Sequence, residues 1–195
     1  MTPDRRVRLG VLISGRGSNM EALARAAQDV AYPAEIAVVI ANLPDAAGLA
    51  VAVAMGIETL ALPHRDFANR AAFEDALDAA LRAHGVEIVV LAGFMRVLTP
   101  AFVARWPGRI INIHPSLLPL YPGLETHERA IAAGDAEAGC TVHIVTEKLD
   151  DGPLLAQARV PILPGDTADT LAARVLREEH RIFPAAIAEV ARTLI

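Results

Sequence analysis

Two stretches of this chain are apolar almost without a break, Val7 to Ile13 and Val86 to Ala92. A strand with one wet face alternates, whereas a strand that is apolar at nearly every position needs cover on both faces. Helices packed on both sides of a parallel sheet supply that cover, and few other architectures do. The segments between and around the two runs have the matching patterns. Met20 to Ala27 reads as a helix capped by Ser18 or Asn19, after the turn Ser14-Gly15-Arg16-Gly17-Ser18-Asn19. Glu35 to Ala41 reads as a second strand, Asp45 to Met55 as a helix ended by Gly56, and Thr59 to Leu62 as a short strand. Ala71 to Ala83 carries Phe73, Leu77 and Leu81 on one helical face and is stopped by Gly85. Val86 to Ala92 is the fourth strand, Pro100 opens a short helix to Trp106, and Arg109-Ile110-Ile111 forms a fifth strand. The alternation predicts an α/β fold, doubly wound and Rossmann-like, with a mostly parallel sheet.

Beyond Pro119 the pattern changes. Thr126 to Ala133 reads as a helix, and Cys140 to Thr146 and Leu154 to Val160 alternate as strands. The turn between them, Glu147 to Pro153, is rich in acids, glycine and proline, so an antiparallel C-terminal extension is expected. A long helix runs from about Thr167 towards Ala191. The 195 residues suit one domain, 1–195.

Composition removes several function classes. With 23 acidic and 18 basic residues the net charge is -5, which disfavours nucleic acid as the main partner. One cysteine, Cys140, excludes a disulfide framework and suits a reducing, cytoplasmic setting. The apolar run at the N-terminus is too short for a signal peptide, and none reaches the ~20 residues of a membrane span. The histidines His64, His84, His114, His127, His143 and His180 form no zinc-protease pattern, and Cys140-x-x-His143 alone makes a poor metal site, so no metal is expected.

Candidate chemistry gathers where strands end. Asn112 and His114 fall as the fifth strand runs out, and strand alternation puts them on one face. In open α/β sheets ligands bind at that edge, and Pro115 and Pro119 stiffen the exit. Gly15-Arg16-Gly17-Ser18-Asn19 lies between strand and helix, where backbone N–H groups can hold an anion. It is neither a dinucleotide fingerprint, since Met20 stands where the third glycine belongs, nor a P-loop. Asp150 matters if its turn folds over His114, where a carboxylate would favour the imidazolium. Glu179 lies in or beside the apolar stripe of the last helix, where a charge needs a partner. Either Arg174, Arg177 or Arg181 pairs with it, or a ligand hydroxyl does. Met95-Arg96-Val97-Leu98 leaves the fourth strand as an apolar loop able to wall a flat ligand, whereas Arg70 by itself reads as a solvated charge at a helix start.

These elements together resemble the phosphoribosylglycinamide formyltransferase family, folate-dependent enzymes of purine biosynthesis. The resemblance runs from Leu12-Ile13-Ser14-Gly15-Arg16-Gly17-Ser18-Asn19 through Leu91-Ala92-Gly93-Phe94-Met95-Arg96-Val97-Leu98 to Asn112-Ile113-His114-Pro115-Ser116-Leu117-Leu118-Pro119. It continues in Tyr121-Pro122-Gly123-Leu124, Leu149-Asp150-Asp151-Gly152-Pro153 and Glu178-Glu179-His180. It implies a formyltransferase fold and transfer of a formyl group from 10-formyltetrahydrofolate, a co-substrate, to the amine of glycinamide ribonucleotide. No permanently bound cofactor is implied. Asn112, His114 and Asp150 would be catalytic, a protonated His114 and the Asn112 amide stabilising the oxyanion. Gly17, Ser18, Asn19 and Glu179 would bind the ribonucleotide. Arg70, Met95, Arg96, Val97, Leu98 and Asn112 would bind the folate. Residues 1–100 would be the phosphate-binding half and 101–195 the catalytic and folate-binding half. Partners would be these small molecules, with neither nucleic acid nor membrane, and the chain a monomer or homodimer. Leu120, Glu125 and Asp151 depart from the commoner pattern, the last beside Asp150.

Three rival readings differ in what they require. Formyltetrahydrofolate deformylase uses the same Asn, His and Asp but usually adds an N-terminal regulatory domain, and this sequence begins directly at the first strand. Methionyl-tRNA formyltransferase adds a basic C-terminal domain, and here one helix ends an acidic chain. A non-catalytic nucleotide-sensing module would keep the glycine turn but have no use for Asn112, His114 and Asp150 together.

Overall fold

The computed structural model describes residues 5–195. Among these residues seven strands form one sheet: β1 (Val7–Ile13), β2 (Ala34–Ala41), β3 (Thr59–Ala61), β4 (Ile88–Leu91), β5 (Ile110–His114), β6 (Glu137–Ile144) and β7 (Leu154–Pro161). Their order is β3-β2-β1-β4-β5-β6-β7. The first five are parallel, and β6 and β7 extend the sheet antiparallel. The expected α/β, doubly wound sheet with an antiparallel C-terminal part is therefore present.

The apolar runs are used as their composition demands. Val7, Leu9, Val11 and Ile13 of β1 pack on the side that holds α1 (Ser18–Ala27), α2 (Ala47–Ala54) and α6 (Ala168–Arg192). Leu12 packs on the other side with Phe73, Leu77 and Leu81 of α3 (Arg70–Ala83) and Phe102 of α4 (Pro100–Val103). The remaining helix, α5 (Thr126–Ala133), joins the first layer through Ala130. All four residues of β4 are buried, as two-sided cover requires. α6 starts with a capping box between Thr167 and Thr170, and Arg174 pairs with Asp166 at 2.6 and 2.9 Å.

Several boundaries differ from expectation. Neither Ser18 nor Asn19 caps α1. Gly17 is the cap residue, left-handed at φ 72°, and both side chains lie inside the first turn. Val86 is outside β4 because its N–H closes the end of α3 on the Leu81 carbonyl. β6 begins at Glu137 rather than Cys140, since pairing with β7 extends to Glu137 opposite Pro161. Asn112 and His114 are themselves paired with β6, so β5 runs through His114 rather than stopping at Ile111. β1 lies between β2 and β4, and at this reversal of the strand order the carboxyl ends of β1 and β4 open side by side.

Candidate active site

β5 places Asn112 and His114 on the face away from Ile111 and Ile113, which enter the core with α6. The pairing Asn112 to His143 and His114 to Thr141 then sets β6 beside them. Asn112, His114, His143 and Asp150 line one cavity of about 320 Å³, whose wall is completed by Phe94 to Leu98 and the loop Thr146 to Leu149. The expected apolar wall is there. Met95 and Val97 are exposed, Leu98 is buried, and the Arg96 guanidinium lies 5.5 Å from the centre of the Phe73 ring. Arg70 is different. It is the first residue of α3, exposed after the Asn69 cap, and it lines none of this cavity.

The loop after β6 does fold back. Asp150 Oδ2 lies 3.4 Å from His114 Nδ1 and accepts the Gly123 N–H at 2.9 Å. Asp150 takes a left-handed backbone, φ 50°, which aspartate tolerates better than most residues. Gly152 lets the loop return to β6. A Cβ there would sit 1.7 Å from the Ile144 carbonyl oxygen. Asp151, the departure from the commoner glycine, has no left-handed strain to bear and turns outward to Lys148 at 3.2 Å. Leu120 is exposed, and Glu125 starts α5 in a left-handed conformation.

The electrostatics correct one expectation. Burial draws the His114 pKa below the ordinary imidazole value, and the Tyr121 carbonyl and Asp150, which both favour the cation, do not reverse it. His114 is buried, and its Nε2 lies 2.9 Å from the Tyr121 carbonyl oxygen. That carbonyl can only accept, so the neutral ring carries its proton on Nε2 and leaves a lone pair on Nδ1, facing Asp150. Burial pushes the Asp150 carboxyl up, but the His143 ring, the Gly123 N–H and His114 outweigh it and hold it below the usual range. Cys140 is buried and its thiol is pushed up to about 12, so it is no nucleophile.

The glycine turn lines a second cavity of about 570 Å³ with Asn42, Leu43 and His64. Gly93, Met95 and Arg96 border both cavities, so the two share a wall. No side chain caps α1, which leaves its first-turn N–H groups for an anion. Gly48 of α2 packs against the turn, and a Cβ on Gly17 would lie 3.0 Å from the Gly48 Cα. Glu179 is buried, and none of the three arginines reaches it. Arg174 is held by Asp166 and Arg181 by Glu178, while Glu179 Oε2 accepts the Asn19 amide at 2.6 Å. Burial raises its carboxyl above the usual range, more than Asn19 lowers it, and Asn19 Oδ1 is buried without a partner. The structure thus brings Glu179 to the turn, although no arginine neutralises it.

Two groups near this chemistry escaped the reading by motif. His143 is buried beside Asn112, its Nε2 3.2 Å from Asn112 Nδ2. Ser14 donates to Asn42 Oδ1 at 2.5 Å and accepts the Met95 N–H at 2.8 Å, tying the wall between the cavities to β1. Both depend on strands meeting, and the only sequence signal was their position at strand ends. Among the described residues no group of metal-binding side chains is present, and no helix is long and apolar enough to cross a membrane.

Known proteins share this fold across nearly the whole chain. The chain is 57% identical to a phosphoribosylglycinamide formyltransferase structure from Brucella melitensis, with a TM-score of 0.92 and 96% of each chain covered. It is 46% identical to phosphoribosylglycinamide formyltransferase of Escherichia coli over 91% of this chain and 84% of that protein. It is 48% identical to the trifunctional purine biosynthetic protein adenosine-3 of Drosophila melanogaster over 96% of its own length, and spans 14% of that much longer protein. The family described as formyl transferase matches residues 7–187, from the first residue of β1 into α6, so this chain belongs to the formyl transferase family.

Proposed function

We propose that the chain transfers the formyl group of 10-formyltetrahydrofolate to the amine of glycinamide ribonucleotide, giving formylglycinamide ribonucleotide and tetrahydrofolate. The observation that carries this reading is the meeting of Asn112, His114 and Asp150 in one cavity that shares a wall with the anion-binding turn. The whole chain, residues 1–195, acts as one domain, its first hundred residues mainly holding the phosphate and the rest the catalytic groups. Gly17, Ser18 and Asn19 hold the phosphate, with the uncapped helix end as the favourable dipole. Glu179, steadied by Asn19, accepts from the ribose hydroxyls, whose O–H groups compensate a carboxylate that burial disfavours. Met95, Val97 and Leu98 wall the flat pterin, and Arg96 is held against Phe73 beside it. Arg70, outside the cavity, meets only a part of the folate that extends beyond it.

The amine attacks the formyl carbon and the carbonyl oxygen gains negative charge. An Asn112 N–H stabilises that oxygen. His114 begins neutral. Its Nδ1 lone pair takes the proton that the attacking amine must lose, directly or through a water, and Asp150 stabilises the imidazolium so formed. The same proton passes to folate N10 as the carbon–nitrogen bond to it breaks. Atoms and charge balance without a covalent enzyme intermediate.

The test is turnover. Protein mixed with glycinamide ribonucleotide and 10-formyltetrahydrofolate should release tetrahydrofolate in step with formylated ribonucleotide. Release that persists without the ribonucleotide would mean hydrolysis instead, and no release at all would mean a binding module.

A further inference from the structure

We infer that His143 is a positioning residue that fixes the orientation of the Asn112 amide. The inference rests on the formyl-transfer reading, since it concerns the donor that faces the oxyanion. His143 belongs to β6, directly opposite Asn112 in the antiparallel pairing, and is 1% exposed. Its two nitrogens face different partners. Nδ1 lies 3.0 Å from the Ile144 carbonyl oxygen, and Nε2 lies 3.2 Å from Asn112 Nδ2.

A carbonyl oxygen can only accept, so Nδ1 carries the proton and Nε2 of the neutral ring is an acceptor. That settles the neighbouring amide. Asn112 must turn Nδ2 towards His143, because the flipped amide would set Oδ1 against a lone pair. One N–H of Asn112 is thereby committed to His143. The other is left for the cavity that Asn112 lines. Among the described residues no other hydrogen bond distinguishes the two amide orientations, and the flipped one presents an oxygen, which repels an oxyanion.

Asp150 is the competing partner for Nε2: a hydrogen bond from the His143 ring would help to hold its carboxyl down, whereas Nε2 stands closer to the Asn112 amide. Asp150 Oδ1 is 3.6 Å from Nε2, beyond a good hydrogen bond, and His114 lies on the adjoining strand. A protonated His143 would turn Nε2 into a donor, aim it at Asp150 and push the Asn112 N–H away. The role inferred for the ring uses the Nδ1–H tautomer, the one that donates to the Ile144 carbonyl and accepts from Asn112. Its contribution is orientation, for which small misplacements cost large factors in rate.

Three measurements test this. The wild-type chain must first turn over the two substrates, since failure there would sink the functional reading and not this one. In an active wild type, His143→Leu should lower kcat by about 10²-fold with KM for the ribonucleotide nearly unchanged. His143→Gln, whose carbonyl can still accept from Asn112, should recover about a tenth or more of that loss. In an Asn112→Ala background His143→Leu should cost less than about threefold, because the amide it serves is gone. Full additivity of the two substitutions would overturn the inference. Because a leucine there could disturb folding, the wild type carries an independent check. Nitrogen-15 spectra near pH 8 should show His143 protonated at Nδ1 and bare at Nε2. A ring protonated at Nε2 would overturn the inference whatever the variants do.

Discussion

Asp150 Oδ2 and His114 Nδ1 stand 3.4 Å apart, although one is on a loop and the other on a strand with α5 and β6 between them in the chain. With the ring proton on Nε2 towards the Tyr121 carbonyl, the carboxylate faces a lone pair on Nδ1, so the pair is set to receive a proton. Opposed effects act on the ring: burial lowers the His114 pKa, and the Tyr121 carbonyl and Asp150 raise it. Asp150→Asn should therefore move the His114 titration further down, followed by proton resonances of the ring. An upward move would contradict this balance.

The same pair makes the fold sensitive to acid. A histidine whose folded pKa is depressed contributes stability that is complete above the unfolded value of 6.5 and is lost as pH falls through the folded value. Asp150, also depressed, adds a second loss below its unfolded value of 3.8. Denaturant midpoints should decline from pH 7 downwards in two stages. In His114→Phe the first stage should shrink.

For the reaction, His114→Ala should cut turnover by about 10²-fold or more, as loss of a positioned acid-base group does. Ribonucleotide binding, followed by calorimetry, should survive, because the phosphate turn is on another strand. Near-normal turnover in this variant would remove His114 from the chemistry.

Glu179 carries a different trade. Its folded pKa is raised by burial, so the folded chain holds more protons than the unfolded chain between the two values, and stability falls as pH rises through that window. Glu179→Gln should remove that penalty while keeping a carbonyl for Asn19. The free variant is expected to melt at a higher temperature than wild type at pH 8 and to bind the ribonucleotide at least about tenfold more weakly. A variant that is stabilised and binds normally would dissociate Glu179 from the ligand.

At the phosphate turn, Gly17→Ala should destabilise by about 1–2 kcal/mol from left-handed backbone alone. The new methyl would also press on the Gly48 Cα at 3.0 Å. Chemical denaturation measures the first effect. The second should appear as a higher KM for the ribonucleotide with the folate KM little changed.

The parallel core was legible because Val7 to Ile13 and Val86 to Ala92 leave little choice of cover. Asn112 and His114 were legible because alternation is local to one strand. His143 was not, since its role exists only through the register between β5 and β6, which pairs residues far apart in sequence. The cap of α1 was misread because Ser18 and Asn19 are favoured cap residues, and the left-handed Gly17 places the cap one position before Ser18 and two before Asn19. The direction of the His114 shift was misread for a related reason. A sequence can show that a carboxylate is available, but the depth of burial that outweighs it depends on the whole packed assembly.

Gly152 gives the site an unusual kind of anchor. The Ile144 carbonyl oxygen that meets the His143 ring is the atom a side chain at residue 152 would strike first. Being main chain, this oxygen persists through any replacement of residue 144 except by a change in the course of the strand. The proton map of the cavity is thus written partly in backbone, where exchange of the side chain at 144 cannot erase it, and it is vulnerable instead at the hydrogen that stands in for a side chain on Gly152.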